Sequence, residues 1–245
     1  MPEKPARRKT GHVRTVLALD TTTPAGSVAI VQNGIVLREH VGDATLTHGQ
    51  RLPTDFIRVI EAVEGGLGEL DLLAVAAGPG SFTGLRVGIA AIQGLAMALD
   101  LLVVPVSTLE ALARAAARHD VLVAPWMDAQ RGEVFAAVYT EGAEMLVLEP
   151  TSLPPLATLR AWIEVLPHQS IRFIGDGAVR HAPVIRDQLG TRAEIVAEVP
   201  ALARVIARIA ADAPERAVRP HAIVPTYIRR PDAELARARR RINSD

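Results

Sequence analysis

Four apolar residues, Val16 to Leu19, run straight into a carboxylate at Asp20, and Thr21-Thr22-Thr23-Pro24 with Gly26 follow. A short apolar run closed by turn residues predicts a buried strand over Val16–Asp20 and a turn behind it. Ser27–Val31 predicts a second strand. Asn33-Gly34, both tolerant of positive φ, predicts a hairpin into a third strand at Ile35–Glu39. After a polar loop, Leu52, Phe56, Val59, Ile60 and Val63 recur at helical spacing, so an amphipathic helix is expected over roughly 49–64. Leu72–Ala77 reads as a buried strand, Gly78–Gly84 as a glycine-rich turn and Leu85–Leu99 as a helix. A short strand, Leu102–Val104, and a helix, Thr108–Arg118, complete this stretch.

The same order then begins again. Val121–Met127 is an apolar strand ending in Asp128, Ala129–Gly132 a polar turn, Glu133–Tyr139 a strand and Ala143–Leu148 another. A helix near Leu156–Leu166, a strand Ile171–Ile174 entering Gly175-Asp176-Gly177, and a helix Ala178–Leu189 follow. Ala193–Val196 reads as a strand and Ala201–Ala211 as a last helix. A repeat this long is a duplicated domain and not a solenoid. Strands alternating with helices imply mainly parallel sheets with helices packed on them. The expected fold is therefore α/β, a duplicated actin-like fold of the ASKHA or ribonuclease H-like kind, two sheets with packed helices. The expected divisions are a disordered basic arm at 1–14, an N-terminal half at 15–119, a C-terminal half at 120–230 and a basic tail at 231–245.

Composition narrows the chemistry. The chain of 245 residues is 49% hydrophobic but only 3% aromatic, and it contains no cysteine. Disulfides, thiol nucleophiles and cysteine metal sites are excluded. Lys plus Arg number 27 and Asp plus Glu 27, so no global field favours a nucleic acid. The first residues are polar and basic without the apolar stretch of a secretory signal, and no apolar run reads as long enough to span a bilayer. A soluble cytoplasmic protein without a membrane partner is the expectation.

Two loops hold candidate chemistry. Asp20-Thr21-Thr22 at the carboxyl end of a strand suits a phosphate held through a metal-bound water. It equally suits a turn whose side chains bond nearby amides. Gly78-Pro79-Gly80-Ser81-Phe82-Thr83-Gly84 leads into a helix, where amide N–H groups and the helix dipole favour an anion and Arg86 adds a cation. The alternative is a tight strand-to-helix turn with Thr83 as N-cap. No Walker sequence is present. Asp20, Thr21, Thr22, Gly80 and Ser81 are thus the candidate cofactor-binding residues. The next helix is apolar nearly all round: Leu85, Ile89, Ile92, Ala96 and Leu99 form one stripe, with Gly84, Gly88, Ala91 and Ala98 beside it. One side faces the sheet, the other a neighbouring helix or a second chain. None of the seven histidines lies three or four residues from another, so none forms a helical metal pair. Asp128, duplicating Asp20, is either a nucleotide-metal ligand or a salt bridge and turn cap. Arg237, Arg239, Arg240 and Arg241 offer phosphate contacts or form a solvated tail.

Several segments taken together resemble the TsaB (YeaZ-type) family. They are Leu17-Ala18-Leu19-Asp20-Thr21-Thr22-Thr23 with Ser27-Val28-Ala29, and Gly78 to Gly88 with Gln93-Gly94-Leu95-Ala96. Met127 to Phe135 and Pro225-Thr226-Tyr227-Ile228-Arg229 complete the likeness, which runs from Val16 to about Arg230. The resemblance implies a non-catalytic subunit that binds and activates TsaD, the enzyme that transfers threonylcarbamoyl to adenosine in tRNA. TsaE joins that complex, tRNA is met through it, and the chain alone forms a homodimer. ATP and a metal belong to the partner subunits, and no cofactor of its own is implied. TsaD-like chains carry a His-x-x-x-His pair where this chain has Thr108 and Leu112, which removes that metal centre. The family's pairing mode would place His48, Leu52, Phe56, Leu85, Arg86, Ile89 and Ile92 at the partner interface. The competing expectations are an active actin-like ATPase or kinase using Asp20 and Asp128, a metallopeptidase of the M22 type, and a direct tRNA-binding module using the basic tails.

Overall fold

The computed structural model describes residues 15–143 and 145–228. The arm expected at 1–14, the tail at 231–245 and Arg229 lie outside the described residues. Among the described residues, ten strands form two five-stranded sheets. The first contains β1 (Thr15–Asp20), β2 (Ser27–Gln32), β3 (Ile35–Val41), β4 (Leu72–Gly78) and β5 (Val103–Ser107) in the order β3-β2-β1-β4-β5. The second contains β6 (Leu122–Asp128), β7 (Val134–Tyr139), β8 (Leu146–Leu153), β9 (Ile171–Ile174) and β10 (Ala193–Ile195) in the order β10-β9-β6-β7-β8. In each sheet the first strand pairs antiparallel with the next and parallel with the fourth, as β1 does with β2 and β4, and β6 with β7 and β9. This common order and sense is the duplicated actin-like fold expected from the repeat.

Side-chain alternation assigns each strand face to its layer. Leu17 and Leu19 of β1 pack with Leu73 and Val75 of β4 beneath α1 (His48–Ile60) and α2 (Phe82–Leu99) on the outer side of the first sheet. Val16, Ala18, Ala74 and Ala76 point the other way. There α3 (Thr108–Ala115) and α7 (Ala203–Asp212) fill the space between the sheets, meeting Val123, Met127 and Phe135 of the second. On the far side of the second sheet, α4 (Pro155–Val165) brings Leu159 and Trp162 against Trp126 and Phe173. The Trp126 ring meets Phe173 edge-on at 5.4 Å and Trp162 at 5.7 Å. At the seam, Arg216 forks onto both oxygens of Glu110 at 2.8 and 2.9 Å, and burial pushes the Tyr139 phenol up to about 12.

Several expected boundaries move. The first helix stops at Ile60, before Gly65 and Gly66, which take positive φ. The strand expected at Ala143–Leu148 lies at Leu146–Leu153, because Ala143 closes a turn through its N–H to the Thr140 carbonyl at 2.8 Å. The helix expected over Ala178–Leu189 breaks at His181 into α5 (Asp176–Arg180) and α6 (Ala182–Leu189). Pro183 lacks the N–H that would continue the ladder. The helix at Thr108 ends at Ala115 and not Arg118, while the strand begun at Val103 runs on to Ser107. α2 is by length and composition alone apolar enough to cross a membrane, contrary to the reading of the sequence. Here its Leu85, Ile89, Ile92 and Ala96 are in the core of the chain.

The largest departure concerns α7. It belongs to the second half by sequence, yet it packs on the first sheet. The Ala203 N–H donates to Ser27 Oγ at 3.0 Å, and Arg204 pairs with Glu39 of β3. The chain then returns across the first sheet: Val218 bridges Val103 of β5, and the Thr226 N–H donates to the Ala77 carbonyl at 2.7 Å.

Candidate functional site

The two loops singled out from the sequence meet at the carboxyl ends of β1 and β4. Asp20 is buried, and its Oδ1 accepts from the Thr22 N–H at 2.8 Å and the Thr22 hydroxyl at 2.6 Å. Thr21, also buried, donates its hydroxyl to the Gly84 carbonyl at 2.8 Å. A Cβ on Gly84 would stand 2.0 Å from the Thr21 carbonyl oxygen, and one on Gly88 2.1 Å from Thr21 Oγ1. Those two glycines let α2 approach β1 this closely. Gly80 is held in the same way, since a Cβ there would lie 2.5 Å from Thr22 Cβ. The Ser81 N–H donates to the Thr22 carbonyl at 3.1 Å.

Ser81, and not Thr83, caps α2. Its Oγ accepts from the Gly84 N–H at 3.2 Å, and its carbonyl accepts from the Leu85 N–H at 2.8 Å. The five residues expected to hold a cofactor therefore do converge. Their convergence is used to lock one loop to the other: the amides of Ser81, Gly84 and Leu85 already have acceptors within the chain, and the Asp20 carboxylate is turned onto Thr22. The local-turn reading of Asp20 and Thr22 describes these contacts.

Burial raises the Asp20 pKa above its ordinary value, against the lowering effect of the Thr22 bonds and the Arg51 charge. A carboxyl whose folded pKa is raised stabilises fully below its unfolded pKa near 3.8 and loses that contribution as pH rises through the folded value. Asp20→Asn keeps an acceptor for Thr22 and removes the buried charge. The expected result is equal or greater stability at neutral pH, with a flatter dependence on pH above the ordinary carboxylate range. Urea denaturation of both proteins across that range checks it, and a large loss at neutral pH would contradict it.

Beside this pair of loops, the first turns of α1 carry a buried ionic network. Arg51 and Asp55 are 4% and 3% exposed and pair one helical turn apart. Arg51 Nη2 lies 2.7 Å from His48 Nδ1. A guanidinium only donates, so Nδ1 is the acceptor, and burial and the Arg51 charge hold the His48 pKa below its usual value. His40 Nε2 reaches Asp55 Oδ1 at 3.0 Å. Gly26 and Gly42 make room for the guanidinium, since Cβ atoms there would lie 2.7 and 1.8 Å from it. Arg51 and Asp55 were not singled out from sequence; the i, i+4 spacing of opposite charges was the available signal.

The expected partner face needs correction. Leu52, Leu85, Ile89 and Ile92 are buried in the chain's own core, so their side chains are not on the surface. His48 and Phe56 are half-buried, and Arg86 is exposed. The large apolar side chains that α1 and α2 leave exposed are Ile57, 59% accessible, Met97, 74%, and Phe82 at the start of α2, 39%. Ala90 and Gly94 are also exposed on α2. The strongest apolar stripe of α2 is the stripe the sheet takes, which leaves Met97 outside it. Arg86 stacks over the Phe82 ring at 4.1 Å, and Phe82 meets Tyr227 at 5.3 Å, joining the start of α2 to the returning chain.

In the second half, Asp128 Oδ2 pairs with Arg180 at 2.7 Å, and Oδ1 accepts from the Gln130 N–H at 2.9 Å. These contacts are a salt bridge and a turn cap. Thr108 and Leu112 are buried among the apolar side chains between the sheets. Among the described residues no three His, Cys, Asp or Glu side chains group as metal ligands.

A family model described as TsaD, tRNA N6-adenosine threonylcarbamoyltransferase, matches residues 42–153. The tRNA threonylcarbamoyladenosine biosynthesis protein TsaB of Bacillus subtilis is 29% identical over 222 residues, covering 90% of this chain and 96% of that protein. A Pseudomonas aeruginosa protein solved by crystallography and described as similar to peptidase YeaZ matches with a TM-score of 0.74 at 30% identity. It covers 88% of this chain and 100% of that one. YeaZ from Pseudomonas aeruginosa matches with a TM-score of 0.70, also at 30% identity, over 87% of this chain and 99% of that one.

Proposed function

We propose, since this chain belongs to the TsaB (YeaZ-type) family, that it serves tRNA threonylcarbamoyladenosine biosynthesis as a non-catalytic subunit. In this reading it binds TsaD and activates it for threonylcarbamoyl transfer to tRNA, with TsaE as a further partner. The observation that carries the reading is the outer face of α1 and α2, where Ile57 and Met97 stand exposed above a fully packed core. Exposed Ala90 and Gly94 let a partner helix approach closely. Leu52, Leu85, Ile89 and Ile92 then support the interface from behind, while Phe56 and Arg86 lie at its surface. A homodimer in the absence of TsaD would use the same face.

Two features argue for a helper over an enzyme. In the first loop, Asp20, Thr21 and Thr22 direct their side-chain hydrogen bonds to the chain itself. Thr108 and Leu112 occupy the positions of the TsaD histidine pair by resemblance; both are buried, and Leu112 belongs to the core between the sheets. Threonylcarbamoyladenosine formation on unmodified tRNA is the test, with TsaD, TsaE and the adenylate-forming enzyme supplied, with and without this chain. Product that needs the chain, with none made when TsaD is omitted, supports the helper reading. Product unchanged by omission would reject it. ATP turnover by the chain alone, abolished by Asp20→Asn, would instead favour the ATPase reading.

The interface makes a separate prediction. Ile57→Glu with Met97→Glu is expected to weaken TsaD binding by about ten-fold or more, because each charge must be desolvated in the complex. Both side chains are exposed in the free chain, so its melting temperature should hardly move. Binding measured by calorimetry and found unchanged would place TsaD elsewhere.

A further inference from the structure

We infer that the groove between α3 and α7 is a binding site for a nucleoside phosphate of mononucleotide size. A cavity of about 430 Å³ opens there, within the range of about 300–1,000 Å³ usual for small-molecule sites. Three arginines line it: Arg204 and Arg208, one turn apart on α7, and Arg114 from the last turn of α3. Arg204 is engaged by Glu39. Among the described residues no carboxylate pairs with Arg114 or Arg208, and both line the same cavity. The planar fork of a guanidinium matches two oxygens of a phosphate.

The rest of the lining suits the remainder of a nucleotide. Val205 and Ile209 supply apolar wall between the arginines, and Ile209 belongs to the buried core. A flat base can lie against such a surface. Asp212, one turn beyond Arg208, adds a carboxylate to the lining. It can accept from a sugar hydroxyl or an exocyclic amine. Asp212 and the nearby Glu39 also repel a continuous phosphate backbone, which favours one small ligand over an RNA strand. None of the residues of the two locked loops lines this cavity. The site is therefore distinct from the position where the sequence pointed to a cofactor.

Isothermal titration of the purified full chain with adenosine monophosphate tests the inference, with inorganic phosphate, adenosine and a short single-stranded RNA as parallel arms. The monophosphate should bind more tightly than phosphate or adenosine. Arg208→Ala and Arg114→Ala should each weaken it about ten-fold or more, the loss expected for a charged hydrogen bond. Both are exposed side chains, and an unchanged melting temperature would separate lost binding from lost folding. No binding of the monophosphate overturns the inference, as does binding that neither substitution alters. Phosphate binding as tightly as the nucleotide would leave only a simple anion site and overturn the nucleotide assignment. RNA binding that depends on Arg208, without binding of the monophosphate, would overturn it in favour of a strand-binding groove.

Discussion

Arg51→Met is expected to cost about 3–5 kcal/mol of unfolding free energy, the loss seen when one member of a buried ion pair is removed. Asp55 would remain 3% exposed without its main cationic partner, and the Arg51 charge near Asp20 would go as well. His48 would lose the donor that faces its Nδ1 at 2.7 Å. Methionine fills most of the same space without the guanidinium, so the loss reports charge more than volume. The double variant Arg51→Met with Asp55→Leu should recover much of it, because a buried pair replaced as a unit is often nearly neutral. Urea denaturation of the three variants measures both claims. A single variant as stable as the parent would mean that Asp55 is hydrated or protonated in the folded chain.

Trp126→Ala should be comparably damaging, at about 3–5 kcal/mol for a large aromatic removed from a core. Trp126 is fully buried between Phe173 and Trp162, and its loss would leave a cavity lined by the other two rings. Among the described residues its indole Nε1 has no hydrogen-bond partner. Trp126→Phe therefore loses ring volume but no hydrogen bond, and should cost well under half as much. Chemical denaturation of both variants separates volume from polarity. If the phenylalanine variant proved as unstable as the alanine one, the indole N–H would have to be bonded, for instance to a buried water.

These two sites differ in how legible they were. The strands around Trp126 announce themselves as apolar runs, and the aromatic cluster follows from bringing β6, β9 and α4 together. The ionic network of α1 was less visible. Arg51 and Asp55 have helical spacing, but burial of both depends on Gly26 and Gly42, which lie in the loops before β2 and after β3. Local pattern carries no information about that closure.

The candidate site shows the same division. Asp20, Thr21, Thr22, Gly80 and Ser81 were grouped correctly, because turn residues after a strand and before a helix gather at the carboxyl edge of a sheet. What they do was open, since a threonine beside a glycine loop can face a ligand or the loop itself. The close approach at Gly84 and Gly88 presses Thr21 against α2, and its hydroxyl donates to the Gly84 carbonyl. Four of the residues expected at the partner face, Leu52, Leu85, Ile89 and Ile92, are buried for a related reason. An apolar stripe marks the side of a helix that is buried, and the sheet claims that side first.

By itself the sequence determined the repeat, the two sheets and the element order, because period-2 and period-3.6 patterns and turn chemistry are local properties of the chain. It also excluded cysteine chemistry and any histidine pair at helical spacing. Only the tertiary structure decided that α7 packs on the first sheet, that Ile57 and Met97 stay exposed, and that three arginines from α3 and α7 share one groove. Those outcomes depend on which surfaces meet across distant segments, and burial of one apolar face against another is set by the packed whole.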